Sequence, residues 1–91
     1  NKIHIIDTKN GEIVKEIKNI KTPEEAVLSE EENLLYVVSF DLSKVYVYDA
    51  VTLEKKSISY KTGNKPIGVM PVGNKLYVSN YGDNSISIIN K

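Results

Sequence analysis

Cysteine is absent from the 91-residue chain. Disulfides and thiolate metal sites are thereby excluded. Arginine is absent too: the twelve basic side chains are all lysine, and twelve acids balance them. A nucleic-acid groove needs a basic surplus and the guanidinium fork, so no nucleic-acid partner is expected. There is no polybasic run of the kind that binds a membrane surface. The longest apolar runs are only a few residues, too short for a membrane-spanning helix or the apolar part of a secretory leader. No P-loop, no Gly-x-Gly-x-x-Gly and no Asn-x-Ser/Thr sequon occurs. A chain of this length makes one small domain and buries only about 60–65% of its unfolded surface.

What is present is repetition. Leu76-Tyr77-Val78-Ser79-Asn80 follows Leu35-Tyr36-Val37-Val38-Ser39 at a shift of 41, and Ile86 and Ile88 follow Val45 and Val47 at the same shift. At a shift of 42, Ile3, Ile5, Ile6 and Asp7 meet Val45, Val47, Tyr48 and Asp49, and Glu12 meets Glu54. Pro23 corresponds to Pro66. Within each unit of about 42 residues the side chains alternate with a period of two, and β-branched and aromatic types dominate, which argues for half-buried strands. Asn10-Gly11, Gly73-Asn74 and Gly82-Asp83-Asn84 supply the turn chemistry between them.

The pattern predicts four strands per unit: a (Ala26–Ser29 and Ile67–Val72), b (Leu35–Phe40 and Lys75–Tyr81), c (Ile3–Asp7, Val45–Asp49 and Ile86–Ile89) and d (Ile13–Lys18 and Lys55–Tyr60). One segment has a competing local signal. Thr22-Pro23-Glu24-Glu25 is a capping box with proline at the first helical position, which favours a helix from Glu24 onward. The repeat decides otherwise, because the matching Pro66–Gly73 segment carries two glycines and an interior proline. Ala26–Ser29 is therefore expected as a strand, with Glu30–Asn33 as its turn.

Four antiparallel strands every 40–45 residues or so are the mark of propeller blades. Pro-x-x-Val, a turn, then Leu76 to Ile89 resembles the YVTN-family β-propeller repeat, with Tyr77-Val78-Ser79-Asn80 at the naming tetrad. The resemblance spans the chain and is strongest over Pro66–Asn90. The earlier copy departs from it, with Val38-Ser39 and Leu42-Ser43 in place of the family's Thr-Asn and Asp-Asn pairs. The expected fold is all-β: incomplete propeller blades, with residues 1–22 carrying strands c and d, 23–65 all four, and 66–91 strands a, b and c. Blades bury their faces on neighbours, so the expected partners are other blades. Three forms stay open: part of a longer propeller, several chains closed into a ring that sediments as a trimer or tetramer, or an independent monomer.

In such a meander the b–c and d–a loops emerge at one end, and propellers commonly bind there. Asp41, Lys65, Asn80, Tyr81 and Asp83 are the candidate contacts on those loops. The same residues also have a purely structural role available, since Asn80–Asn84 is good turn chemistry. Asp83 and Asn84 alone do not make a calcium loop. His4 aligns with Tyr46 and Ser87 and is expected on a strand surface, so neither a catalytic triad nor a metal site is built around it. Glu30–Glu32 reads as a solvated turn, because paired catalytic carboxylates require one to be buried.

No catalytic site and no cofactor is therefore expected. The resemblance implies a non-enzymatic scaffold of cell-surface, surface-layer or periplasmic type that presents loops to proteins or glycans. The rivals are a fragment of a haem-binding or lyase-type propeller whose catalytic residues lie elsewhere, and an engineered or excised fragment that self-assembles.

Overall fold

The computed structural model describes residues 2–6 and 11–91. They form nine strands in three antiparallel sheets and, among the described residues, no helix. Sheet 1 pairs β1 (Ile3–Ile6) with β2 (Ile13–Ile17). Sheet 2 runs β3 (Pro23–Ser29), β4 (Leu34–Ser39), β5 (Lys44–Asp49) and β6 (Lys55–Lys61) in chain order. Sheet 3 runs β7 (Pro66–Val72), β8 (Lys75–Asn80) and β9 (Ser85–Asn90). The end of the first strand at Asp7 and the Asn10 half of the Asn10-Gly11 turn lie outside the described residues.

The helix-like Thr22–Glu25 segment opens strand β3 instead. Glu25 does not cap Thr22; its Oε1 accepts the Val69 backbone N–H of β7 at 2.9 Å. That N–H sits on the open side of β7, where no neighbouring strand of its own sheet can reach it. A bond made across the sheets therefore replaces the local cap the sequence suggests.

The period of two places successive side chains on opposite sheet faces. On one side of sheet 2, Leu35, Val37 and Tyr48 join Ile17 and Ile20, closing sheet 1 onto it. On the other, Tyr36, Val38, Val45 and Val47 join Val69, Leu76 and Val78 of sheet 3. Val37, Val38, Val45, Leu76 and Val78 are fully shielded from solvent. Sheet 2 is thus apolar on both faces, and this explains why β4 reads as a nearly continuous apolar run. A sheet stacked on both sides holds the core, and its loops are carried on rigid ends.

Candidate functional site

The loops joining β4 to β5, β8 to β9, β2 to β3 and β6 to β7 are bonded to one another at one end of the stack. Phe40 N–H donates to the Thr22 carbonyl at 2.9 Å, and Tyr81 N–H to the Lys65 carbonyl at 2.9 Å. The two bonds stand at matching places in successive repeats. Thr22 and Lys65 each precede a proline and share a left-handed conformation, with φ of 43° and 53°. That conformation is uncommon for residues with a Cβ, and its recurrence shows that the latch dictates the backbone here. Thr22 adds its hydroxyl, which accepts the Asp41 N–H at 2.9 Å.

Beneath the latch lies a buried polar position. Ser39, fully buried, donates its hydroxyl to the Lys21 carbonyl at 2.6 Å. Its repeat partner Asn80 is 2% exposed and donates Nδ2 to Ser87 Oγ at 2.8 Å and Ser85 Oγ at 3.3 Å. Asn80 Oδ1 is buried without a partner. Above it, Asn64 is gripped by Asp83: the backbone N–H donates to Oδ2 at 2.8 Å and Nδ2 to Oδ1 at 3.0 Å. A Cβ at Gly63 would come within 2.8 Å of Asn80 Cγ and Asp83 Oδ2, so any other residue there would have to displace those side chains.

The sequence-chosen residues are thereby sorted. Asp41 and Lys65 line one cleft of about 360 Å³ with Phe40, Ser43, Asn64 and Gly82. The Lys65 ammonium stands 6.0 Å from the centre of the Phe40 ring, at the limit of cation–π attraction. Tyr81, two-thirds exposed, is not part of that cleft and lines a separate hollow with Ile67, Asn84 and Ile86. Asp83 reaches the cleft only through Asn64, and Asn80 belongs to the interior. The cleft so assembled offers a carboxylate, an ammonium, an amide and a ring edge, a neutral mixture suited to polar recognition. Asn64 is not singled out by sequence patterns, and Thr22 is singled out there only as a helix cap, not as a loop latch. The bonds they make cross 19 residues of chain and tie the loop entering a sheet to the next loop at the same end of that sheet, and no local motif carries that information.

At the opposite end a second polar group spans sheets 2 and 3. Lys91 Nζ pairs with Glu32 Oε1 at 2.8 Å and lies 5.3 Å over the Tyr36 ring, while the Tyr36 hydroxyl donates to the same carboxylate oxygen at 2.8 Å. Burial alone would raise the Glu32 pKa, but bonds from Lys91, Tyr36 and Ser29 outweigh it and hold the carboxyl below its usual range. Burial, then the Glu32 carboxylate, push Tyr36 up. Burial would lower Lys91, yet its bonds to Glu32 and Tyr36 raise it overall. Glu30–Glu32 is an exposed turn, as the sequence leads one to expect, and Glu32 in addition ties two sheets together through Lys91.

His4 lies exposed on sheet 1, with Nε2 at 3.1 Å from Glu16 Oε2. Among the described residues no group of three or more His, Cys, Asp or Glu side chains is placed to hold a metal ion. None of the described segments is a helix long and apolar enough to cross a membrane. No known protein-family profile matches the chain, and no curated protein matches it.

Proposed function

We propose that the sheets are blades of a YVTN-type β-propeller and that the chain serves as a non-catalytic scaffold whose loop end binds a protein or a glycan. The observation that carries this reading is the repeated latch. Bonds at equivalent positions, Phe40 to Thr22 and Tyr81 to Lys65, fix the loop backbones on stacked sheets. Exposed side chains of mixed polarity, Asp41, Lys65 and Tyr81, are left free of that framework. Rigid loops of this kind lose little entropy on binding, which favours recognition. The side-by-side placement of β3 and β7, stapled by Glu25, supports their reading as the innermost strands of neighbouring blades. A cell-surface or periplasmic setting belongs to the same proposal.

The test is a glycan microarray and an overlay of surface-protein extracts, each probed with wild type and with the double variant Lys65→Ala, Tyr81→Ala. Binding that the variant loses while its circular dichroism spectrum is unchanged supports the proposal. Binding that survives the double variant, or none on either format, contradicts it. A Soret band in the purified protein would favour the haem-binding alternative.

A further inference from the structure

The latches of sheets 2 and 3 differ in one respect, and the difference releases a side chain. In sheet 2 the Asp41 N–H is accepted by the Thr22 hydroxyl at 2.9 Å. In sheet 3 the matching N–H, that of Gly82, is accepted instead by the Asn64 carbonyl at 3.0 Å. Lys65 stands in the place of Thr22, and the latch uses only its backbone carbonyl, bonded by Tyr81 N–H at 2.9 Å. Its side chain has no part in holding the loop. The Lys65 ammonium makes no ion pair with any described residue, and it stands 6.0 Å from the centre of the Phe40 ring, on the loop of sheet 2.

The cleft at this end is walled by both latches: Phe40, Asp41 and Ser43 come from sheet 2, and Asn64, Lys65 and Gly82 from the latch of sheet 3. These walls share no residue with the open face of sheet 3, where Met70, Tyr77 and Ile86 lie. The latches have spent the backbone donors on the cleft's rim. Asp41 N–H goes to Thr22, Gly82 N–H to Asn64, and Asn64 N–H and Nδ2 both go to Asp83. What is left is an unequal inventory. The Asp41 carboxylate and Asn64 Oδ1 are acceptors only, the Lys65 ammonium is a donor only, and the Ser43 hydroxyl can do either. Asp41 and Lys65 are not joined to each other by an ion pair.

From this inventory we infer that the cleft takes a hexuronic acid unit of a glycan, a pyranose ring bearing one carboxylate. The inference rests on the loop end being a binding surface and narrows what it binds. Neighbouring ring hydroxyls donate to Asp41 and to Asn64 Oδ1, the ligand carboxylate accepts from Lys65, and the apolar face of the sugar lies against Phe40. The bonds at Asp41 and Lys65 are charge-assisted, the stronger class. The cleft volume of about 360 Å³ falls near the lower end of the ~300–1,000 Å³ span of small-ligand sites, which suits a sugar unit. Three comparisons select this occupant. An extended peptide is read through free backbone N–H and C=O groups, and here those of Asp41, Asn64 and Gly82 serve the latches. A free amino acid would meet Asp41 and Lys65 but leave Asn64 Oδ1 and the Ser43 hydroxyl unmet. A neutral sugar would leave the Lys65 charge without an anion.

Amide shift titrations of the whole chain with methyl glucuronide, methyl glucoside and glycine test it. Shifts should be confined to residues 40–43, 62–65 and 81–83, and the glucuronide should bind about tenfold more tightly than the glucoside, the worth of one charge-assisted bond. The preference should shrink as salt is added. Lys65→Met should bring glucuronide binding down to the glucoside level, while Lys61→Met, at an exposed lysine outside the cleft, should keep the preference. Asp41→Asn should weaken both sugars. Equal binding of the two sugars, a preference that survives Lys65→Met, glycine binding as tightly as the glucuronide, or shifts centred elsewhere would overturn the inference. Wild type that binds a protein or a neutral glycan on the arrays, yet shows no glucuronide preference, would overturn this inference alone and leave the scaffold reading standing.

Discussion

Ser39 and Asn80 stand at the same place in their repeats, and both direct their polar atoms into the interior. Each closes the lower edge of a loop latch, one through the Lys21 carbonyl and the other through two serine hydroxyls. Replacing Asn80 with alanine removes its bonds to Ser85 and Ser87, leaving the Ser87 oxygen only the Gly63 N–H at 3.3 Å, and should cost about 1–3 kcal/mol. Lys65→Ala and Tyr81→Ala, at exposed positions, should stay within about 0.5 kcal/mol of wild type. Urea unfolding of the three variants separates a structural position from two surface ones. The candidate site was legible in the sequence to the extent that turn chemistry located its loops. Asp41 and Lys65 could be placed at one end because alternate loops of a meander share an end. That Asn80 is interior was visible only as its alternation with the buried Leu76 and Val78. The Asn64–Asp83 grip was not visible, because two loops 19 residues apart must be brought to the same end of sheet 3 before it exists.

At the scale of the strand, the fold was readable because alternation and turn residues agree in each repeat. β3 shows where local and global signals part. A capping box there predicts a helix; the chain forms a strand because Val27 then packs on sheet 3 and Glu25 satisfies Val69. Glu25→Ala leaves that β7 N–H without its acceptor and should lower stability by about 1–2 kcal/mol. Glu25→Gln, which keeps an acceptor oxygen, should recover most of it. The same denaturant titration reads both. The Glu32–Lys91 contact makes stability depend on pH in a defined sense. Glu32 is lowered in the folded chain, so its contribution is complete above the ordinary glutamate pKa and is lost as pH falls through the lower, folded value. Lys91 is raised, so its share is complete below the ordinary lysine value and fades only as strongly alkaline pH passes the folded one. Wild type should therefore exceed Glu32→Gln in stability near neutrality, and the gap should close in acid. A gap that is constant from pH 7 to about pH 2 would contradict the assignment.

For the whole molecule, what matters is that equal positions have unequal surroundings. Val47 and Ile88 occupy the same place in successive repeats, but Val47 is 2% exposed and Ile88 60%. Val47→Ala should destabilise by about 2 kcal/mol through lost burial and an unfilled gap. Ile88→Ala, measured in dilute protein, should change little. A difference that large between repeat-equivalent residues cannot come from strand propensity and must come from stacking. The alternation of apolar residues foretold that sheets would form; which faces would be covered depended on how many sheets follow one another, which periodicity alone does not encode.

The stacking order is tested most directly by methyl–methyl contacts in a nuclear Overhauser spectrum of selectively labelled chain. Val38, Val45 and Val47 should share cross-peaks with Val69, Leu76 and Val78, while Leu35 and Val37 share them with Ile17 and Ile20. Cross-peaks joining Leu35 or Val37 to Leu76 or Val78 would mean that the central sheet faces the other way, and would contradict the account.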